Sequence, residues 1–185
     1  MPVYQDLSRF RMPPGFRGRG LIVVQLWRIV QATLFAWSPW GANGWRCWLL
    51  RAFGAEVGRE VVIRPSAKVT YPWQVSIGDY AWIGEEATLY SFADITIGAH
   101  AVVSQRCYLC AGGHDYSDPT FAIFGKPIAI GPEAWVAADV FVAPGVVIGR
   151  GTVVGARSSV FGDLPEGMIC LGSPAKPVKP RVVRG

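Results

Sequence analysis

The pattern of hydrophobic and polar positions changes at residue 57. From there an aliphatic residue recurs at every sixth position in five segments, which begin at Val57, Ile77, Ile97, Ile130 and Ile148. A period of six fits neither an amphipathic helix nor an alternating strand. It is typical of a parallel β-helix, in which three short strands form a coil of about eighteen residues and the aliphatic side chains point inward. One coil cannot bury its apolar side chains alone, so the coils must stack.

The spacing between the segments is regular except at one place. Successive segments begin 20, 20, 33 and 18 residues apart. The long interval holds a normal coil and an insertion, so residues 111–127 are predicted to leave the coil as an external loop. Long loops in compact repeat proteins are usually functional or disordered. The predicted organisation is an N-terminal arm with helices over 1–56, a β-helix over 57–172 and an extended tail over 173–185.

The most apolar stretch, GLIVVQLWRIVQATLFAW, precedes the repeats at 20–37. At helical spacing Gln25, Arg28 and Gln31 form one narrow polar stripe on an otherwise apolar helix, which Pro39 ends. Three interpretations stay open: a helix packed on its own domain or on a neighbouring subunit, an interfacial helix among lipid headgroups, or a membrane span.

The charge is uneven along the chain. The net charge is +5, and residues 1–56 hold seven arginines against Asp6 and Glu56. A basic, apolar N-terminal region favours an anionic surface as a partner. No basic run with interleaved aromatic residues appears, so nucleic acid is not expected. The polar first residues do not resemble a signal peptide. A cytoplasmic protein is expected, with a peripheral contact at the inner face of the membrane as the alternative.

The four cysteines do not form a disulfide framework. Cys107 and Cys110 form a C-x-x-C pair, but the six-residue register directs their side chains differently. A metal or redox site at this pair is therefore not expected.

The loop GHDYSDP, the coil IGPEAWVAADVFVAPGVVIGRGTVVGARSSV and the tail LPEGMICLGSPAKPVK together resemble the hexapeptide-repeat O-acetyltransferases. These include the galactoside and maltose acetyltransferases, and the chain is more similar to the colanic-acid-biosynthesis type. The resemblance implies an all-β fold, a left-handed parallel β-helix with an N-terminal helical segment, assembled as a homotrimer with active sites between subunits. It also implies acetyl-CoA as donor, a sugar hydroxyl in polysaccharide or glycolipid biosynthesis as acceptor, and no metal.

The resemblance also implies roles for individual residues. His114 matches the catalytic histidine of the family, which takes the proton of the acceptor hydroxyl. Asp115 is predicted to take part in catalysis by orienting the imidazole, or else to build the loop or bind the acceptor. The predicted donor-binding residues are Trp135, Ala138, Gly155, Ala156, Lys176 and Lys179. The predicted acceptor-binding residues are Tyr90, Ser91 and Asp94. His100 is expected at a solvated corner.

Two departures and three alternatives remain. Phe161-Gly162 stands where many relatives have Thr-Lys, and the acceptor-binding Asn and Asp of galactoside-type enzymes are not found at Gly84 and Phe92. The acceptor pocket is therefore expected to differ. The alternatives are transfer to an amino-sugar nitrogen or a serine, a non-catalytic β-helical scaffold, and a three-histidine zinc enzyme of the γ-carbonic-anhydrase type, for which two histidines are too few.

Overall fold

The computed structural model describes residues 3–184. Residues 1, 2 and 185, at the outer ends of the predicted arm and tail, lie outside the described residues. From residue 56 to residue 172 the chain winds into a left-handed parallel β-helix of about six turns, preceded by a short helical segment. The predicted fold class is confirmed.

Each of the first five turns gives one short strand to each of three flat faces, named A, B and C in chain order, and the last turn gives a strand to face B alone. Face A consists of Glu56–Val57, Val75–Ile77, Ile95–Ile97, Ile128–Ile130 and Val147–Ile148. Face B consists of Val62–Ile63, Trp82–Ile83, Val102–Val103, Trp135–Val136, Val153–Val154 and Met168–Gly172. Face C consists of Lys68–Val69, Thr88–Tyr90, Tyr108–Cys110, Phe141–Val142 and Ser159–Val160. The turns between faces are the corners AB, BC and CA.

The aliphatic positions stack in columns, as the six-residue period predicts. On face A, Ile77 pairs with Ile97, which pairs with Ile130, and all three are almost fully buried. The last turn extends beyond the predicted five coils. Leu164 bridges to Ile148 and Cys170 continues the column of face B, so both residues cover the end of the core.

Corners AB and BC are tight turns with one residue in the left-handed region. His100 at corner AB has φ 60°, and Arg106 at corner BC has φ 56°. The residue after the face A aliphatic must also be small. A Cβ on Gly98 would lie 2.4 Å from the backbone nitrogen of Pro132 in the next turn, so the close stacking of turns requires glycine.

Corner CA is the wide corner. Along the chain, the column positions of faces C and A are eight positions apart in the first two turns and six positions apart in the fourth. The additional residues lie in 70–74 and 90–94, and the first of these segments contains a short 3-10 helix, Pro72–Gln74. In the third turn the insertion that includes 111–127 leaves at this same corner, where the coil is already widened.

The N-terminal helices cover the first turn. Helix α1 (Leu21–Val30) continues into a π-helical turn (Gln31–Phe35), and helix α2 (Asn43–Ala52) follows. Trp27 is fully buried, and its Nε1 donates a hydrogen bond to the Val69 carbonyl oxygen at 2.7 Å. The Val69 backbone nitrogen donates to Oε1 of Gln31 at 2.6 Å. The helices therefore satisfy backbone groups at the open edge of the β-helix.

The residues of the predicted polar stripe differ in their contacts. Gln31 bonds to the coil, whereas the side chains of Gln25 and Arg28 are exposed. The outward face of α1 is largely apolar, with Ile22 at 84 % exposure and Ile29 at 62 %. The helix thus packs on its own domain and still presents an apolar surface. No helix within residues 3–184 has both the length and the hydrophobicity needed to cross a bilayer.

We expect the face A column to dominate stability. Ile97→Ala should lower the free energy of unfolding by about 2–5 kcal/mol, because a buried side chain held between two turns leaves a cavity. Thr96→Ala, one position earlier on the exposed side of the same strand, is the matched control and should change it little. Urea unfolding of both variants measures the difference, and equal effects would contradict the columnar core.

Candidate active site

The inserted loop is an antiparallel hairpin of Gly112–His114 with Ile123–Gly125. It lies directly on the turn below, because a Cβ on Gly112 would be 2.7 Å from Cβ of Phe92. The chain returns to the coil where the Lys126 backbone nitrogen donates to the Ala111 carbonyl oxygen at 3.0 Å. The loop therefore has a fixed base and carries His114 outward at the end of its first strand.

His114 is half-buried and held by Phe121, which lies across the hairpin. Nδ1 of the imidazole is 2.8 Å from the Phe121 carbonyl oxygen, and the two rings stack with centroids 3.9 Å apart. A carbonyl oxygen can only accept, so Nδ1 carries the proton and donates. In the neutral ring the lone pair is then on Nε2. This geometry gives His114 one defined nitrogen that can accept a proton. Nothing in the sequence pattern had indicated Phe121.

Asp115 is occupied in its own turn. Its carboxylate accepts hydrogen bonds from the backbone nitrogen and the hydroxyl of Ser117, and the hydroxyl bond is the main cause that lowers the Asp115 pKa. The group that orients His114 is instead the Phe121 carbonyl. A catalytic role for Asp115 stays a prediction, and these contacts favour a role in building the loop.

The N-terminal arm reaches the loop, which the sequence analysis did not predict. The backbone nitrogen of Asp6 donates to the Pro119 carbonyl oxygen at 2.7 Å. The Phe10 ring lies 5.9 Å from the His114 ring, between centroids, on a tilted plane. His114 therefore has an aromatic neighbour from the arm as well as one from its own hairpin.

The same arm continues down corner CA. Phe16 packs edge-on against Phe92 with centroids 5.5 Å apart. Nε1 of Trp73 donates to the Arg17 carbonyl oxygen at 2.8 Å. The arm, the wide corner and the hairpin thus form one aromatic-lined surface around His114. Single aromatic residues in an aperiodic arm carry no sequence signal for contacts this distant along the chain.

The predicted acceptor-binding residues differ in whether a ligand can reach their side chains. Ser91 is fully buried, its hydroxyl donates to the Tyr71 carbonyl oxygen and it accepts from the Tyr71 backbone nitrogen. The prediction for Ser91 is therefore corrected, because this side chain holds two turns of the coil together and has no surface for a ligand.

Tyr90 and Asp94 flank the base of the loop. The Tyr90 carbonyl oxygen accepts from the backbone nitrogen of Ala111, and the Asp94 carbonyl oxygen accepts from Ile128. The Tyr90 ring lies 4.2 Å from the Phe92 ring, and burial raises the pKa of its hydroxyl. The Asp94 side chain is exposed. Acceptor binding by these two residues stays a prediction.

The packing around Phe92 and Gly84 fits the absence of the acceptor-binding Asn and Asp of galactoside-type enzymes at these two positions. Phe92 fills the space beside the loop with stacked contacts, including the Tyr71 ring at 5.5 Å. A Cβ on Gly84 would lie 2.6 Å from the Gln105 backbone nitrogen, so a larger residue does not fit there. The acceptor side of this site is consequently apolar at Phe92.

The predicted donor-binding residues lie elsewhere on the coil. Trp135 is 46 % exposed on face B, and its Nε1 donates to the Ser104 hydroxyl at 2.9 Å. Its column continues outward through Val153 and Ile169 to Lys179 of the antiparallel tail strand, Ala175–Pro180. Face B therefore presents an apolar ladder that ends at a cation.

The other donor-binding candidates lie beside this ladder. Ala138, Gly155 and Ala156 are at corner BC, next to face B. A Cβ on Gly155 would overlap the Leu171 side chain, and Lys176 is paired with Leu171 in the tail hairpin. All six predicted donor residues thus share face B, its tail hairpin and the adjoining corner. His114 rises from corner CA, and face C lies between, so one chain does not bring the two sets together.

Other candidate groups do not form a site. Cys107 is buried, its Sγ lies 2.9 Å from the Ala137 carbonyl oxygen, and burial raises the pKa of its thiol to about 11. Cys110 points toward the loop, with Sγ 3.1 Å from the Gly112 carbonyl oxygen. His100 is exposed and stacks on Tyr80 with centroids 5.0 Å apart. Within residues 3–184 no group of three or more His, Cys, Asp or Glu is arranged to hold a metal ion.

The parallel β-helix of hexapeptide turns, with a histidine on a looped-out hairpin, is the arrangement expected from the resemblance to hexapeptide-repeat transferases, and the comparisons agree. The chain is 58 % identical over 178 residues to a protein of Escherichia coli named as the colanic acid biosynthesis acetyltransferase WcaF, covering 96 % of this chain and 98 % of that one. It therefore belongs to the hexapeptide-repeat acetyltransferases, in the colanic acid biosynthesis group. No family model matches the chain.

Solved structures share the fold. A galactoside acetyltransferase in complex with coenzyme A matches with a TM-score of 0.81 at 22 % identity, covering 98 % of this chain and 92 % of that one. A hexapeptide-repeat acetyltransferase of Vibrio cholerae, complexed with acetyl-coenzyme A, matches with a TM-score of 0.78 at 23 % identity over 88 % of each chain. At identities of 22 % and 23 %, these matches show a shared fold alone.

The contact between the arm and His114 predicts a change in solvent access. Phe10→Ala should increase the rate at which diethyl pyrocarbonate acylates His114, because one side of the imidazole becomes open. Leu7→Ala, an exposed residue of the same arm, is the matched control. His100 is an internal reference, and mass spectrometry separates the two histidines. An unchanged His114 rate in Phe10→Ala would show that the arm does not cover the ring.

Proposed function

We propose that this chain transfers an acetyl group from acetyl-CoA to a hydroxyl of a sugar, with His114 as general base. The observation that carries the proposal is the hydrogen bond from Nδ1 of His114 to the Phe121 carbonyl oxygen, at 2.8 Å. It supports the tautomer that base catalysis needs, with Nε2 free to accept a proton at the exposed end of the loop.

The reaction follows from that tautomer. Acetyl-CoA supplies an acetyl thioester, whose carbonyl carbon is the electrophile. His114 Nε2 takes the proton of the sugar hydroxyl as its oxygen forms a bond to that carbon. The carbon–sulfur bond then breaks, and the imidazolium returns its proton to the departing sulfur. A hydroxyl is a weak nucleophile without such a base, and a positioned base accelerates the step by about 10²–10⁴.

The surface of face B suits the donor. An apolar ladder formed by Trp135, Val153 and Ile169 matches the apolar and amide character of a pantetheine arm. Lys176 and Lys179 at its end provide cations for phosphates, which Lys binds as point charges. Ala138, Gly155 and Ala156 add backbone groups at the adjoining corner without bulky side chains.

The position of the two residue sets supports a homotrimer with shared active sites. His114 projects from corner CA, whereas the donor residues occupy face B and corner BC of the same coil. A site built by the loop of one subunit and face B of its neighbour brings both sets to one cleft. Cyclic symmetry with such a head-to-tail contact produces three equal sites in a trimer.

The acceptor proposed is a sugar of an exopolysaccharide or its lipid-linked precursor. The relative that is 58 % identical is named for colanic acid biosynthesis, which supports this class. The aromatic surface of Phe10, Phe92 and Tyr90 suits the apolar face of a sugar ring. Asp94 is an exposed carboxylate whose backbone carbonyl bonds to Ile128 at the base of the loop, and it is a candidate acceptor for sugar hydroxyls.

We propose in addition that residues 20–37 contact the membrane peripherally. Ile22, Leu26 and Ile29 recur on one exposed face of α1, at interfacial-helix spacing. The region 1–56 holds seven arginines, of which Arg46 is fully buried, against two acidic residues, so its exposed surface is basic and favours anionic lipid. A peripheral contact would keep the enzyme near a lipid-linked acceptor.

His114→Ala should reduce turnover at least about a hundredfold, while acetyl-CoA affinity stays nearly unchanged, because only proton transfer is lost. His100→Ala is the matched control and should retain wild-type turnover. Release of the CoA thiol in the presence of sugar acceptors measures both. An active His114→Ala enzyme would overturn the proposed base.

Lys176→Glu combined with Lys179→Glu should weaken CoA binding about tenfold or more, because two attractive charges become repulsive. Titration calorimetry measures the affinity, and an unchanged value would place the donor elsewhere. Co-refolding this variant with His114→Ala tests the shared site. At acetyl-CoA well below the wild-type Kd, random mixing should restore about a quarter of wild-type activity if loop and groove come from different subunits, and only the residual activity of the Lys variant if each site lies within one chain.

A further inference from the structure

A cavity of about 560 Å³ lies between the π-helical turn and α2, away from the proposed active site. We propose that it binds the hydrocarbon chain of a membrane lipid, which deepens the proposed membrane contact and rests on it. Its lining is almost entirely apolar. Its lining includes Thr33, Leu34, Trp37, Pro39, Ala42 and Trp45.

The cavity has fixed walls. Arg46, fully buried beneath it, donates to the Ser38 hydroxyl and to the carbonyl oxygens of Pro39 and Trp40, all at 2.7–2.8 Å. These bonds hold the turn between the two helices. Nε1 of Trp45 donates to the Leu34 carbonyl oxygen at 2.9 Å and joins the opposite wall. The polar groups of the walls are thus engaged with the protein, and the space left suits a ligand without polar atoms.

The surroundings of the cavity favour a lipid over a polar ligand. It opens beside Trp37, which is 87 % exposed, and near the stacked pair of Trp45 and Trp48, with centroids 5.1 Å apart. Indole rings prefer the boundary between hydrocarbon and headgroups. The apolar face of α1, through Ile29, leads to the cavity at Thr33 and Leu34. One continuous apolar surface therefore runs from the helix into the pocket.

The charge of the N-terminal region favours an anionic headgroup. The Arg64 guanidinium, 3.7 Å from the centre of the Trp40 ring, pairs with Glu85 at 3.3 Å, so the positive charge comes from the exposed arginines of this region. The region from residue 1 to residue 56 is strongly basic. A lipid with its hydrocarbon chain in the pocket and its phosphate at the surface would match both the apolar lining and the basic region. A second copy of this chain that met this region through its own N-terminal region would bring like charge, and the oligomeric state of the filled variants tests the other contacts of a neighbouring copy.

The test uses dodecyl phosphate below its micelle concentration, with butyl phosphate as the short-chain comparison. Titration calorimetry on the full chain should show one dodecyl phosphate per subunit and at least about tenfold weaker butyl phosphate, because each buried methylene strengthens binding several-fold. Ala42→Trp fills the cavity and should weaken dodecyl phosphate binding at least about tenfold. Ala52→Trp, the same change on an exposed position of α2, should bind as the wild type does.

Two further measurements keep the outcomes distinct. Thr33→Phe fills the pocket from the opposite wall and serves if Ala42→Trp does not fold. Ile22→Asp with Ile29→Asp should lose binding to phosphatidylglycerol vesicles yet keep dodecyl phosphate binding. A wild type that ignores these vesicles would overturn the membrane contact alone. Equal dodecyl phosphate affinity of the wild type and both filled variants would overturn the cavity proposal, as would a changed oligomeric state in the filled variants without any alkyl-chain binding.

Discussion

The structure depends on one constraint: a single turn of this chain cannot bury its own aliphatic side chains. Ile97 is covered only because Ile77 lies below it and Ile130 above it. The two open ends of the stack therefore need other material. The N-terminal helices supply it at the first turn through Trp27 and Gln31, and Leu164 and Cys170 supply it at the last. The N-terminal helices and the residues that close the last turn are thus required by the repeat itself.

The same constraint decides where the chain can carry function. Corners AB and BC pack so tightly on the next turn that Gly98 and Gly84 have no room for a side chain. Corner CA is wider, and the insertion with His114 occurs there without disturbing the columns. The insertion therefore occurs at the corner where successive turns pack least tightly. Face B keeps a flat, regular surface suited to an extended ligand. The loop with His114 and the proposed donor surface lie apart for this geometric reason.

The sequence predicted what is periodic and missed what is not. The six-residue spacing was sufficient for the columns and for the loop at 111–127, because each hydrophobic position repeats the same environment. The six-residue spacing could not indicate that Phe121 and Phe10 lie beside His114, because a single aromatic residue in an irregular segment belongs to no repeating pattern. Ser91 was misjudged for a related reason: its hydroxyl bonds to the Tyr71 backbone one turn away. The sixth turn lies within the predicted β-helix of 57–172, but it was not recognised as a coil because Cys170 stands where an aliphatic residue is expected.

The contact of the arm with the loop has a consequence for the order of assembly. During synthesis the residues around Phe10 emerge before their partners His114 and Pro119, which belong to the third turn. Contacts between residues so distant in sequence form late, after the intervening segments are organised. The arm is therefore expected to dock only after the third turn and its hairpin have formed.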